Sequence, residues 1–307
     1  MIVTFIDDNR HEFGVEPIVR ALSGTAARIA VSSYYAHKKR QPSARARRDP
    51  ALMVVIQDVY EANYSCYGVR KMWKAINREY ADQFGPVARC TVERLMRLLG
   101  IDGIRRRRKR PKTASARAEE CPDDLVEREF AAPAPNCLCV ADSTYVPTSA
   151  GWVYTTFILD VFHREIVGWQ VTNHMRESLA RDALTMALAA KYRAGQDVSG
   201  LVHHSDRGVQ FRSIRYGETL AESEVVTSVG SRGDSYDNAM AEALNSFYKA
   251  ELIDRKVWSG LIEVMAETSK WVAWYNQTRL HSAIGYRPPT EVQSEWINQS
   301  AAESAAA

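Results

Sequence analysis

Three acidic residues, Asp142, Asp206 and Glu242, stand where a carboxylate can do chemistry. Asp142 lies within Val140-Ala141-Asp142-Ser143-Thr144, part of a stretch that predicts a strand. An ionised carboxylate inside a sheet is costly unless it is paired or coordinates a metal. Asp206 directly follows a short predicted strand, Leu201–Ser205, in His203-His204-Ser205-Asp206-Arg207-Gly208. Ligands of open α/β sheets gather at the carboxyl ends of strands. Glu242 falls on a helix predicted from near Tyr236 to about Leu252. On that helix Met240, Leu244, Phe247 and marginally Tyr248 can pack on a sheet. Asn238, Glu242, Asn245, Ser246 and Lys249 share another side at spacings of three and four. Glu251 is nine residues on, about 180° around the helix. Asp234 and Asp237 stand at the helix start, where a carboxylate can satisfy free backbone N–H groups.

The chemistry that suits such a trio is phosphodiester cleavage. It needs an activated water and a stabilised leaving oxygen, which two Mg²⁺ ions roughly 3.5–4 Å apart can supply. Mg²⁺ takes oxygen ligands and few carboxylates. The same site can use a DNA 3′-OH in place of water and join strands. Other accounts stay open for each residue alone. Asp206 can cap the segment after it, Asp160 can be a turn residue, and Glu242 can be a solvated helix position.

The elements that must hold these residues follow from the period of the pattern. Cys137–Pro147, Trp152–Phe162 and Glu165–Thr172 are rich in Val, Ile, Thr, Tyr and Trp and predict three strands. Ser178–Tyr192 predicts a helix, Leu201–Ser205 a strand, Val209–Leu220 a helix and Glu224–Val229 a strand. The last helix closes a βββαβαβα order, that of the RNase H-like α/β fold. A further helix spans 260–278.

The N-terminal part differs in charge and period. Residues 1–118 carry 24 Lys and Arg against 11 Asp and Glu, a net +13, whereas 119–307 carry 16 against 26, a net −10. One end suits a polyanion and the other holds excess carboxylates. Val92, Leu95, Met96 and Leu99 form a helical stripe that ends at Gly100. Arg89, Arg94 and Arg97 lie off it. A helix beginning at Val69 carries Arg70 and Lys71. The pair reads as an all-α helix-turn-helix region preceding the core. Arg105-Arg106-Arg107-Arg108-Lys109-Arg110 then calls for phosphate contact or serves as a solvated linker. Pro50 suits a first helical turn.

The resulting domain expectation is a short helical segment over 1–48 and a helix-turn-helix DNA-binding domain over 49–104. A basic, Pro-containing linker over 105–135 and an RNase H-like core over 136–255 follow. A helical extension over 256–299 and a disordered Ala/Ser-rich tail over 300–307 complete it. Cys66, Cys90, Cys121, Cys137 and Cys139 show no disulfide spacing and no set of zinc ligands. No apolar run reaches the ~18 residues of a membrane span, and residues 1–8 lack the pattern of a signal peptide. The expectation is a cytoplasmic, nucleoid-associated protein of bacterial type with no membrane partner.

Several blocks resemble the insertion-sequence transposases of the DDE, or retroviral-integrase, superfamily, in the subgroup that moves through a circular DNA intermediate. They are Tyr67-Gly68-Val69-Arg70-Lys71, Arg94-Leu95-Met96-Arg97, Asp142-Ser143-Thr144-Tyr145, His204 to Phe211, Asp237-Asn238-Ala239 with Glu242, and Tyr275-Asn276 with Arg279, His281-Ser282-Ala283 and Gly285-Tyr286. Thirty-five residues separate Asp206 from Glu242, the spacing of the family. Leu280 stands where the family often has Pro. The resemblance implies a catalytic, metal-binding triad of Asp142, Asp206 and Glu242. It implies two Mg²⁺ ions, replaceable by Mn²⁺, and a contact from Lys249 to the element's end. Expected partners are double-stranded DNA (terminal repeats and target) and further copies in a multimer on DNA. The family often joins an upstream helix-turn-helix and zipper frame to this one by a frameshift. No zipper precedes residue 1, so the resemblance implies a downstream product with the upstream-frame protein as a partner. A non-catalytic DNA-binding regulator and a structure-specific nuclease without joining activity are the competing classes.

Overall fold

The computed structural model describes residues 1–104, 126, 130–206, 208–211, 213–229 and 238–306. The chain divides into two units, Met1–Val54 and Val55–Ala307. In the first, helices α1 (Ile2–Phe13), α2 (Val15–Leu22) and α3 (Val31–Lys39) bury Ile6, Ile18, Val19 and Tyr34 together. The division falls inside α4 (Ala44–Ala62), not at the expected boundary of 48/49. Pro50 is inside that helix rather than in its first turn. It lacks the N–H that the carbonyl four residues back would accept.

The second unit opens with α5 (Val69–Glu79), a single turn α6 (Ala81–Phe84) and α7 (Arg89–Leu98). Met72, Ala75 and Ile76 of α5 are buried, as are Val92, Leu95 and Met96 of α7. The turn between them is latched on Val87. Asn77 Oδ1 accepts the Val87 N–H at 2.8 Å, and Trp73 Nε1 donates to the Val87 carbonyl at 2.7 Å. Gly100 has φ 68, which suits its place at the end of the stripe.

The core is a five-stranded mixed sheet in the order β3-β2-β1-β4-β5. Its strands are β1 (Leu138–Thr148), β2 (Gly151–Asp160), β3 (Ile166–Thr172), β4 (Val202–Ser205) and β5 (Val226–Val229). β1, β2 and β3 pair antiparallel, while β4 lies parallel between β1 and β5. Parallel neighbours need crossovers, which α8 (Glu177–Arg193) and α9 (Ile214–Glu222) provide. Cys139, Ala141 and Ile158 turn to this α8–α9 side with Ala180, Ala183, Leu184 and Ala187. Gly168 lets α8 approach β3, since a Cβ there would lie 2.2 Å from the Ala183 carbonyl oxygen.

On the other face, α10 (Ala239–Glu251) and α11 (Leu261–Gln277) cover the sheet with rings. Phe157 meets Tyr248 at 4.9 Å and Trp271 at 5.8 Å. The region 209–220, expected as one helix, is a 3-10 turn at Val209–Phe211 followed by α9, capped by Ser213. The expected start of the last helix at Tyr236 lies outside the described residues. The tail expected to be disordered is helical, because α12 (Pro289–Ala306) continues through it. Its Ala-rich composition is what a helix favours most. Among the described residues no helix is long and apolar enough to cross a membrane.

No division falls at residue 104/105 either. Residues 55–104 belong to the same unit as the sheet. The Leu280 N–H donates to Tyr67 Oη at 2.8 Å, and Trp274 Nε1 donates to Asn63 Oδ1 at 3.1 Å. Beside these contacts Arg279 and Glu251 form a buried ion pair, closest at 2.6 Å. Removing one member of such a pair strands the other charge, at a cost of about 3–5 kcal/mol. Arg279→Met should lower stability to urea by that order, and Arg279→Met with Glu251→Leu should recover a substantial part of it. No recovery in the double variant would show that Arg279 acts through its ring contacts, not its charge.

Candidate active site

The backbone register brings Asp142 and Asp206 together. The parallel β1–β4 ladder ends at Ala141↔Ser205, and Asp142 and Asp206 each directly follow that last pair, Asp142 within β1 and Asp206 just past β4. Adjacent strands lie about 4.8 Å apart, and in-register residues of a parallel pair face the same way. Asp206 Oδ1 accepts the Gly208 N–H at 2.9 Å, which makes it a turn residue as well as a strand-end acid. A Cβ on Gly208 would stand 2.8 Å from that oxygen, so the turn favours glycine. His204, buried beneath, bonds Ser228 Oγ through Nδ1 at 2.9 Å.

Helix α10 is fixed over this corner by two amides. Asn238 Nδ2 donates to the Ala141 carbonyl at 2.9 Å, and Asn245 Nδ2 donates to Asp142 Oδ2 at 2.8 Å. Both asparagines are buried, and among the described residues the Oδ1 of each has no hydrogen-bond partner. Glu242 lies between them, four residues after one and three before the other, on the same helix side. The sequence places the two asparagines on that side. Their role as latches was not read from it, although their spacing with Glu242 carried the signal.

The three carboxylates feel one another. Burial holds Asp142 well above the usual carboxylate range, and Asp206 and then Glu242 add to the rise. The Ser143 N–H and Asn245 oppose it. Asp206 is raised by burial, against the Gly208 N–H and His204. Glu242, although exposed, is raised by partial desolvation and by Asp206. Among the described residues no three His, Cys, Asp or Glu side chains are gathered closely enough to hold one ion as they stand. The donor set still fits a hard divalent cation. It is all oxygen, its members carry like charge, and what opposes that charge is one side-chain amide, two backbone N–H groups and His204.

The other acids are spent elsewhere. Glu251 is paired with Arg279. Asp160 is buried at the end of β2, 3.3 Å from Lys191 Nζ, and accepts the backbone N–H of Asn136 and of Phe162. Asp234 and Asp237 lie outside the described residues. Cys139 is buried in the core, with burial pushing its thiol up to about 12.

The basic residues are dispersed. Arg70, Arg89 and Arg97 are exposed, and Arg97 lies 3.5 Å from Glu93. Arg94, expected on the open side of α7, is half-buried. Lys71 is also half-buried, 5.1 Å from the Tyr67 ring centre, and lines a pocket with Arg164, Phe247 and His281. It therefore stands at the seam between α5 and the core, not on the outer face. Lys249 sits over the Tyr145 ring at 4.3 Å. Arg105 to Arg110 and Cys121 lie outside the described residues.

An RNase H-like sheet with carboxylates at its parallel strand ends defines a polynucleotidyl transferase core of the integrase class. Family comparison gives the same class. An HTH-like domain matches residues 47–109, and Integrase core domains match 132–235 and 223–289. The protein named as transposase for insertion sequence element IS986/IS6110 of Mycobacterium tuberculosis is 45% identical over 273 residues, covering 88% of this chain and 97% of the relative. The transposase for IS629 of Shigella sonnei is 43% identical over 300 residues, 96% of each. Among solved structures, the simian T-cell lymphotropic virus intasome aligns over 71% of this chain and 73% of that chain, at 11% identity and a TM-score of 0.41. The chain belongs to the insertion-sequence transposases, as a DDE-type enzyme that cleaves and joins DNA and binds it through an HTH-like domain. The metal-dependent mechanism is general to that family.

The raised Asp142 gives a signed pH effect. Its unfolded-state value is about 3.9. Above that pH the unfolded chain ionises while the folded site resists, so stability falls as pH rises. In metal-free protein, wild type should lose stability from about pH 4 upward relative to Asp142→Asn. The two should converge below that pH in thermal melts. Added Mg²⁺ or Mn²⁺ should raise the wild-type midpoint and leave that of the variant nearly unmoved. Parallel pH profiles would contradict the electrostatic account.

Proposed function

We propose that Asp142, Asp206 and Glu242 are the catalytic triad of this transposase and hold two divalent ions, Mg²⁺ or Mn²⁺. The observation that carries the reading is the burial of Asp142 beside two further carboxylates, offset only by Asn245 and the Ser143 N–H. A cation is the natural counter-charge for such a group. When bound, the ions would supply an activated oxygen nucleophile and stabilise the leaving oxygen of an in-line displacement.

The protein's own share is orientation. Asn245 holds Asp142 Oδ2, the Gly208 N–H holds Asp206 Oδ1, and Asn238 ties the start of α10 to Ala141. Glu242 is exposed on α10, from where it would close on the site once charge is neutralised. The DNA substrate is the terminal repeat of the element and its target, engaged by a multimer. Exposed Arg70, Arg89 and Arg97 on α5 and α7 support a DNA face on the helix-turn-helix. We assign Arg94, Lys71, the run Arg105 to Arg110 and Lys249 to further phosphate contacts. The reading also places the protein on the bacterial nucleoid, with an upstream-frame protein as partner.

Glu242→Gln should keep its fold and DNA affinity but lose both nicking and joining of a labelled end. Mn²⁺ titration should lose one component. Near-normal nicking by this variant would remove Glu242 from the triad. Asn245→Ala should be milder, lowering metal affinity or rate about 10- to 100-fold, as loss of a ligand's hydrogen-bond partner does. Wild-type metal affinity in Asn245→Ala would reduce the amide to a packing element.

A further inference from the structure

We infer that Tyr145 and Trp152 form a stacking platform for unpaired nucleobases along the bare edge of β1. The inference rests on the proposed function in one respect, that the DNA lies at Asp142.

The edge is a consequence of unequal strand lengths. β4 pairs with β1 only as far as Ala141↔Ser205. From Ser143 to Pro147, β1 has β2 on one side and, among the described residues, no ladder partner on the other. Tyr145 is three residues beyond Asp142, about 10 Å at the rise of a strand.

Tyr145 and Trp152 are 46% and 54% exposed, unusual for rings of this size in a sheet. They meet edge to face at 5.3 Å. By strand alternation both lie on the sheet face opposite Asp142. Lys249 belongs to α10, on the Asp142 face, yet its ammonium is 4.3 Å from the Tyr145 ring centre. The lysine therefore reaches around the edge, and cation and rings together wrap the open strand.

A ring pair beside a cation fits one ligand chemistry well. Exposed aromatic faces stack bases without sequence preference, and an adjacent ammonium answers the phosphate each base carries. A closed duplex hides its base faces, so the ligand is a strand with bases already unpaired. A frayed or newly cleaved end about one or two nucleotides from Asp142 has that form, given the ~10 Å offset. A second copy of this chain is the competing occupant, because Val257 is 83% exposed beside Trp258, which bridges to Thr148. The lysine seated on Tyr145 favours the nucleic acid.

The test uses the full chain and three probes: a blunt duplex, the same duplex with a short oligo-dT 3′ overhang, and the same with an abasic overhang. Wild type should prefer the oligo-dT overhang over the other two. Trp152→Ala should lower affinity for that probe by roughly tenfold, the loss of one base–aromatic stack, with the other two within about twofold. Trp152→Phe should retain most of the preference, and Tyr145→Ala should behave like Trp152→Ala with an unchanged thermal midpoint. An equal loss on all probes, or none, overturns the inference. So does a change of oligomeric state on sedimentation with overhang affinity intact, which would make the surface an interface between copies. The overhang preference should persist in Glu242→Gln. If that variant still nicks while the Trp152 effect holds, the triad assignment fails and the platform stands. If nicking is lost and Trp152 has no effect, only the platform fails.

Discussion

Like charges gathered at the end of a sheet resist being gathered, and the core of this transposase is arranged around that repulsion. Asp142 is buried, and Asp206 follows the last residue of the neighbouring strand, raising Asp142 further. Asp142 is held in the β1–β2 ladder, and Asp206 is held by the Gly208 N–H in the turn after β4. Only Glu242 has freedom, from a helix surface open to solvent. The site thus has two rigid members and one adjustable one. This division suits the centre proposed above.

What resists the repulsion is a set of neutral amides and a layer of rings. Asn238 and Asn245 bind α10 to β1 without adding charge. Beneath them Phe157, Tyr248 and Trp271 interlock, and Tyr248 Oη meets Thr268 Oγ1 at 2.7 Å. A ring cluster of this kind contributes beyond its buried area. The helix that carries Glu242 is therefore held, apart from the Asn245 bond to Asp142, by contacts that do not depend on whether the acids are ionised. That separation allows the charge of the three acids to change while the ring layer keeps its place.

Much of this was legible in the residues. Alternation in Cys137–Pro147 and Trp152–Phe162 marked β1 and β2, and the order of periods gave the sheet. The carboxylates stood out because an acid within a strand and an acid just past one both need a reason. The latches were harder, since an asparagine on a helix side looks the same whether it meets solvent or a carbonyl. Contacts between distant segments were hard to read for a related cause. Arg105 to Arg110 draws the eye as a boundary, but the deciding contacts are between Tyr67 and Leu280 and between Asn63 and Trp274, more than 200 residues apart in the chain. Pro50 misled in the same way, since a helix tolerated it in its interior. The Ala-rich tail was read from low complexity, whereas helix propensity governed it.

The seam that joins α5 to the C-terminal block has a consequence for how such enzymes can diversify. Tyr67 and Asn63 are bonded to residues that follow the whole catalytic sheet in sequence. A chimaera that exchanges only the first hundred residues would bring a foreign surface against Trp274 and Leu280. The HTH-like region is thus inherited together with the end of the chain, and its surface is varied more readily at outward side chains such as Arg89 and Arg97 than by shuffling modules.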